Sequence, residues 1–170
     1  MITIKEAKHT DLASIRDIAV RSWQHGYKNV LSVEQITFML ENIYSISALS
    51  QAMVNGQTFY LLSRDNEQVG FIALKSRNSI LRIEKLYLVP QVQGQGLGTV
   101  LIDQAIAIGK AGEYQALELN VNRKNKAYHF YLKQGFYVVE LVDIPYYDFV
   151  LDDYVMQKAL RYFSRKAPGL

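Results

Sequence analysis

The sequence predicts a mixed α/β fold: a central sheet of about seven strands with helices on both faces. Helical-period segments come first, and three strand-like segments then follow one another over residues 58–89. A proline and a glycine-bearing turn lead into a new helical period, after which a strand, a short helix and two more strands close the order. Strands that come in a run and then alternate with helices fit one sheet with both antiparallel and parallel neighbours.

Residues 1–7 alternate Ile2 and Ile4 with Thr3 and Lys5, the period of a half-buried strand. Thr10 is expected to cap the next helix, with Asp11 in its first turn and Leu12, Ile15, Ile18, Ala19 and Trp23 on its buried face. That helix is expected to end near Trp23, with Gly26 as a break. Ser32 then caps a second helix to about Ile43, and a third over residues 48–54 stops at Gly56.

From Thr58 the period becomes strand-like, and Asp65, Asn66 and Glu67 read as a hairpin turn between two strands. In the third strand, residues 78–89, Leu81 and Ile83 are odd-numbered but Leu86 and Leu88 are even. Two accounts fit: a β-bulge around Glu84 and Lys85, or a strand buried on both faces. Residues 96–110 form the helix after the glycine turn, with Leu97, Val100, Leu101, Ala105 and Ile108 spaced for burial. Leu117, Leu119 and Val121 alternate in the next strand. Asn125 is expected to cap a helix carrying Ala127, Phe130 and Tyr131, which Gly135 ends. Strands over 136–143 and about 147–156 follow, with Ile144 and Pro145 between them.

The 170 residues fit one domain over residues 1–160, with a loose polar tail at 161–170. A hydrophobic content of 49% with 21% charged residues is ordinary for a globular protein, and no apolar run approaches the roughly 20 residues of a membrane span. The first residues lack a signal-peptide layout, so the expected compartment is the cytoplasm and no membrane partner is expected. The absence of cysteine removes disulfides, thiolate metal sites and a cysteine nucleophile. His9, His25 and His129 lack ligand spacing, so no metal is expected. The net charge of +3 comes from dispersed Lys and Arg without a dense stripe. Nucleic acid is therefore not the expected partner, and the charge equally suits an anionic ligand.

Residues 86–102, LYLVPQVQGQGLGTVLI, read as strand, loop and helix. Gly94, Gly96 and Gly98 sit where backbone N–H groups can face outward at a helix start, an arrangement that suits phosphate. A P-loop is excluded because no Gly-Lys pair follows. The dinucleotide pattern GxGxxG fits Gly94 and Gly96 but meets Thr99 where its third glycine belongs. QxxGxG is met by Gln93, Gly96 and Gly98, and on the loop alone a glycine-rich turn without a ligand also stays open.

The QxxGxG loop between strand and helix resembles the acetyl-CoA pyrophosphate loop of the GNAT superfamily of N-acetyltransferases. Residues 125–136, NKAYHFYLKQGF, are similar to the family's second signature of Asn, Ala, Phe-Tyr and Gly-Phe in the helix after the fifth strand. The order of elements also looks like that fold. EKLYLVP and DYVMQKAL are similar to the bacterial branch that includes spermidine/spermine N-acetyltransferases.

The resemblance implies acetyl-CoA as cosubstrate, no metal, and direct transfer of acetyl to a small-molecule amine in a ternary complex. Its pyrophosphate is expected on the amides of Gln93, Gly94, Gln95, Gly96, Leu97, Gly98 and Thr99, where Gln93 replaces a frequent family arginine. Leu86, Tyr87 and Leu88 on the fourth strand and Asn120 on the fifth are expected to splay around the pantetheine, leaving backbone groups near Leu88 free. Tyr131 matches the family's general acid, with Tyr128 close enough in sequence to substitute and an aromatic packing role as the alternative. Asn125 matches a cofactor-side asparagine and is equally a plain helix cap. Glu84 is the candidate base, against a solvated strand carboxylate.

The acceptor is expected among Trp23, Tyr27, Glu41, Tyr87, Tyr146, Tyr147 and Asp148, although such aromatics are commonly core residues. Polyamines suit carboxylates beside aromatic faces, while peptide, amino-acid and antibiotic amines stay open. Exposed final strands suggest a homodimer. The rival classes are a non-catalytic acyl-CoA sensor, against which the presence of Tyr131 speaks, and a dinucleotide-binding domain.

Overall fold

In the computed structural model, which describes residues 1–160, seven strands form one sheet in the order β1-β2-β3-β4-β5-β7-β6. These are β1 (Ile2–Glu6), β2 (Thr58–Arg64), β3 (Glu67–Arg77), β4 (Ile80–Leu88), β5 (Ala116–Asn122), β6 (Tyr137–Tyr146) and β7 (Phe149–Ala159). The helices are α1 (Leu12–Gly26), α2 (Val33–Tyr44), α3 (Ile46–Val54), α4 (Leu97–Ala111) and α5 (Ala127–Lys133). The proposed tail, 161–170, lies outside the described residues.

Local chemistry sets most boundaries. The Ser32 hydroxyl accepts from the Gln35 N–H at 3.0 Å and starts α2, as expected from the sequence. Ser45 does the same for Ala48 at 3.2 Å, so α3 begins earlier than its apolar period suggested. Asp65 and Asn66, with φ of 51° and 68°, close the β2–β3 hairpin in the left-handed region that such two-residue turns require.

Four expectations are corrected. Thr10 is not the cap of α1: a short 3-10 turn, His9–Asp11, precedes it, and Asp11 Oδ2 accepts from the Lys8 N–H at 2.8 Å. The helix then continues through Gly26. In β1 only Ile4 is partly buried, because the strand lies at a sheet edge and Ile2 stays 45% exposed. Ile144 and Pro145 do not separate the last strands; Pro145 pairs with Val150 inside the hairpin, and the turn falls at Tyr147 and Asp148. Proline is tolerated there because β6 is the other edge strand and has one side without a neighbour.

β4, the last strand of the run over residues 58–89, resolves in favour of the bulge. Ala73 pairs with Lys85 and Leu74 with Ile83, so Glu84 is the extra residue. Its insertion reverses the alternation: Leu81 lies beside Gly109 of α4, whereas Tyr87 packs on Trp23 of α1. Glu84 and Lys85 therefore both project on the α1 side. The core between these layers contains Ile15, Ile18, Leu49, Phe59, Phe71, Leu101 and Leu117, each at most 1% exposed. Burial of such side chains contributes about 1.5–3 kcal/mol apiece.

The feature that positions the site is the β4–β5 joint. Every other strand pair is antiparallel, but these two run parallel and pair only from Ile80 opposite Ala116 to Ile83 opposite Leu119. Beyond the bulge they part.

Candidate active site

A cleft of about 830 Å³ opens where β4 and β5 separate. Leu86, Tyr87 and Leu88 form one wall, Asn120 and Asn125 the other, and Gly94, Gly96 and Thr99 lie at one end. Because Val89 N–H donates to Val69 O at 2.9 Å, alternation along β4 turns the N–H and C=O of Leu88 away from β3 toward the gap. The expectation that the groups near Leu88 are free holds only in part, since Gln93 Nε2 donates to the Leu88 carbonyl at 3.1 Å.

Gly94 and Gly96 have φ of 76° and 82°, and a Cβ built on either meets nothing within 4 Å. Their absence of a side chain serves the left-handed backbone rather than space. Gly96 stands immediately before α4, and the first N–H directed back into the helix is that of Val100, to Gly96 O. The amides of Leu97, Gly98 and Thr99 thus lie in the turn with no intrahelical acceptor, at the positive end of the helix. Gly98 has a different reason: a Cβ there would stand 2.9 Å from Phe130 Cζ, so its bareness lets α5 approach α4. Lys124, Lys126 and Lys133 also line the cleft and add positive charge that the sequence reading overlooked, although the run NRKNK carried the signal.

Tyr131 lines the cleft at 8% exposure, and burial holds its hydroxyl well above the usual tyrosine range. Among the described residues no protein group hydrogen-bonds that hydroxyl, which leaves its proton available to a ligand. Asn125 serves two neighbours at once. Its Oδ1 accepts from the Ala127 N–H and its Nδ2 donates to the Tyr27 hydroxyl, each at 2.9 Å. Tyr27 and Tyr87 both border the cleft, and burial pushes both hydroxyls up.

Glu84 also lines the cleft, with Arg82 Nε 3.4 Å from its Oε1. Arg82 further donates to Asn120 Oδ1 at 2.7 Å and to Glu118. Lys85, its neighbour across the bulge, was missed because sequence alone does not bury a lysine. It is 7% exposed, lies 5.4 Å from the Phe59 ring centroid and donates to Gln57. Burial pushes its ammonium down to about 8, with Glu84 opposing and Lys75 adding to the shift.

Several expected site residues do not line the cleft. Trp23, 6% exposed, packs its ring 4.3 Å from Tyr27 in the core. Tyr128 rests on Tyr154 at 4.9 Å, which leaves Tyr131 as the tyrosine of this helix that faces the ligand space. Tyr146 and Tyr147 surround Phe38 of α2 at 6.1 and 5.0 Å, because the β6–β7 hairpin extends past the expected turn and its tip reaches α2. Glu41 is exposed on α2, away from the cleft lining. Gln95 is held outside by Gln91 O and Arg64, and the Leu97 side chain is core. Thr99 lines the cleft but its hydroxyl accepts from Gln134 at 2.9 Å, tying α4 to α5.

A gap between splayed parallel strands, an amide-rich helix start and an unbonded buried phenol define a site for an acyl carrier with a phosphate-bearing end. Residues 27–144 match the acetyltransferase (GNAT) domain, and the chain belongs to the GNAT acetyltransferase family. It is similar to spermidine N(1)-acetyltransferase of Thermoplasma acidophilum, with 29% identity over 89% of this chain and 96% of the relative. Peptidyl-lysine N-acetyltransferase YjaB of Salmonella typhimurium shares 28% identity over 81% of this chain and 85% of its own. Among solved structures, the PaiA N-acetyltransferase of Thermoplasma acidophilum in complex with coenzyme A superposes with a TM-score of 0.80 at 27% identity, covering 94% of this chain and 99% of that one. The chain is an acetyl-CoA-dependent N-acetyltransferase. Among the described residues no group of three or more His, Cys, Asp or Glu is arranged to hold a metal ion, and no helix is long and apolar enough to cross a membrane.

Proposed function

We propose that the enzyme transfers acetyl directly from acetyl-CoA to a primary amine within a ternary complex, and that polyamines are the acceptor class. The observation that carries the reading is the placement of Tyr131 and Glu84 on the two walls of one cleft, beyond the last β4–β5 pair. The amine nitrogen forms the new N–C bond as the C–S bond breaks. Glu84 takes the amine proton, directly or through water, and Tyr131 donates to the departing sulfur. The Leu88 N–H is directed into the gap, where a donor to the carbonyl oxygen is worth about 3–4 kcal/mol. The amides of the loop and of the first turn of α4 hold the pyrophosphate, with Lys124, Lys126 and Lys133 beside them.

Polyamine acceptance is supported by Tyr27 and Tyr87, which line the same cleft as the Glu84 carboxylate, and by the relative named as a spermidine acetyltransferase. The relative named as a peptidyl-lysine acetyltransferase makes a lysine side chain the second reading. In this reading residues 1–160 act as one domain in the cytoplasm, and the exposed β6 edge is where two copies would pair. The test is CoA release from acetyl-CoA, followed with a thiol reagent, across polyamines, lysine peptides, amino acids and aminoglycosides. The chain contains no cysteine and adds no thiol background. Turnover strongest with polyamines supports the assignment, turnover confined to lysine peptides replaces the acceptor class, and tight acetyl-CoA binding with no turnover overturns the catalytic reading.

A further inference from the structure

We infer that Asp153 of β7 is the recognition residue for a second, non-reacting ammonium group of the acceptor, held beside Asn120 on the α1 side of the sheet. The inference deepens the amine-acetylation reading and rests on it.

Arg82 Nη2 donates to Asn120 Oδ1 at 2.7 Å, which fixes that amide with its NH₂ toward Asp153; Asn120 Nδ2 lies 3.4 Å from Asp153 Oδ2. The same guanidinium serves Glu118 and Glu84, and Arg77 is also paired with Glu118. Glu84 and Glu118 thus occupy both guanidinium groups, and neither reaches Asp153. Arg123, the next candidate, spends its Nη2 on Asp143 at 2.9 Å and reaches only the backbone oxygen of Asp153. Among the described residues Asp153 has no ion-pair partner.

An unpaired carboxylate in a partly buried position is costly unless a cation arrives. Burial raises the Asp153 carboxyl above its usual range, with Asp152 adding and the Asn120 bond, Arg123 and Arg82 opposing. A site that discourages its own charge in this way gains most from a bound ammonium.

Asp153 stands one side chain from the acceptor's cleft, next to Asn120, without lining the cleft itself. Asn120 borders both the cleft and a second depression of about 520 Å³ on the same face. Burial is the main reason the Tyr27 hydroxyl titrates high, and the Asp153 charge contributes, which brings Asp153 into electrostatic contact with the cleft wall. β4, β5 and β7 are consecutive in the sheet, so Glu84 and Asp153 stand at least two strand spacings apart, about 10 Å. A polyamine of the length of spermidine, with its reacting amine at Glu84 and a charged one at Asp153, spans that interval, and a three-carbon diamine does not.

The test compares wild type with Asp153→Asn and Asp153→Glu on propylamine, 1,3-diaminopropane, putrescine and spermidine at saturating acetyl-CoA, with calorimetric binding of spermidine to the CoA-loaded protein. For Asp153→Asn we expect KM for spermidine, and the spermidine Kd, to rise by roughly tenfold to a hundredfold, while 1,3-diaminopropane, too short to reach both carboxylates, responds as propylamine does. kcat/KM for propylamine and the KM of acetyl-CoA stay unchanged, and Asp153→Glu restores part of the loss. An equal fall on propylamine and spermidine, or no change on either, overturns the assignment while amine acetylation stands. A wild type that binds acetyl-CoA but acetylates no amine and binds no spermidine overturns both.

Discussion

Asn125 joins two parts of the chain that are 98 residues apart: its Nδ2 donates to the Tyr27 hydroxyl while its Oδ1 accepts from the Ala127 N–H at the start of α5. The end of α1 and the helix that carries Tyr131 are held by one side chain. Asn125→Ala loses both contacts, and we expect it to lower stability by about 1–2 kcal/mol and kcat several-fold. Asn125→Asp keeps the acceptor but not the donor, so thermal unfolding should recover more than turnover. Equal recovery of both would remove the Tyr27 contact from the catalytic account.

Tyr131→Phe removes a hydroxyl that no protein group binds among the described residues. Stability should be unchanged or slightly raised, while kcat falls by about a hundredfold or more at constant acetyl-CoA KM. Because burial keeps the phenol protonated, the alkaline side of the pH–rate profile belongs to other groups. Steady-state kinetics over pH would show this directly.

The Glu84→Gln rate loss should be largest at low pH and shrink as the amine approaches its own pKa, where it no longer needs a base. A pH profile parallel to wild type would dismiss Glu84.

Gly98→Ala places a Cβ 2.9 Å from the Phe130 ring. We expect a loss of about 1–3 kcal/mol from overpacking, with weaker acetyl-CoA binding as α5 shifts. Phe130→Leu in the same protein should return most of the stability. Failure of this rescue, read by denaturant titration, would show that Gly98 is required by the loop and not by α5.

Lys85 links folding to pH. In the unfolded chain this lysine takes up its proton below 10.5, and in the folded protein only below about 8. Between those values the unfolded state binds more protons, so stability rises with pH across this window, and below about 8 the buried charge costs up to about 3 kcal/mol. Lys85→Met should therefore be more stable than wild type at neutral pH, with the difference shrinking toward pH 10. A difference independent of pH, measured by urea unfolding, would contradict the burial of the charge.

The sequence was most legible where function and structure rest on neighbours along the chain. The Ser32 cap, the Asp65 and Asn66 turn, the Gly94 and Gly96 loop and the parity change at Glu84 each follow from local backbone chemistry. What stayed hidden depends on register between distant strands. Asp153 reaches Asn120 only because β7 inserts beside β5, and the Lys85 burial depends on Gln57 and Phe59 at the start of β2. The sequence puts Tyr146 and Tyr147 at the acceptor because it marks a shorter hairpin; three further pairs, Ile144 with Leu151, Pro145 with Val150 and Tyr146 with Phe149, carry them to Phe38.

The brevity of the β4–β5 joint has a mechanical consequence. The sheet is two sections, β1 to β4 and β5 with β7 and β6, stitched by pairs that run only from Ile80 with Ala116 to Ile83 with Leu119. That seam has the fewest paired residues of any in the sheet and is its one parallel ladder, and a ligand lying in the fork above it would touch both sections. Acetyl-CoA bound there would act as a staple: we expect hydrogen exchange at the amides of residues 80–83 and 116–119 to slow when it binds, while the hairpins within each section keep their own protection.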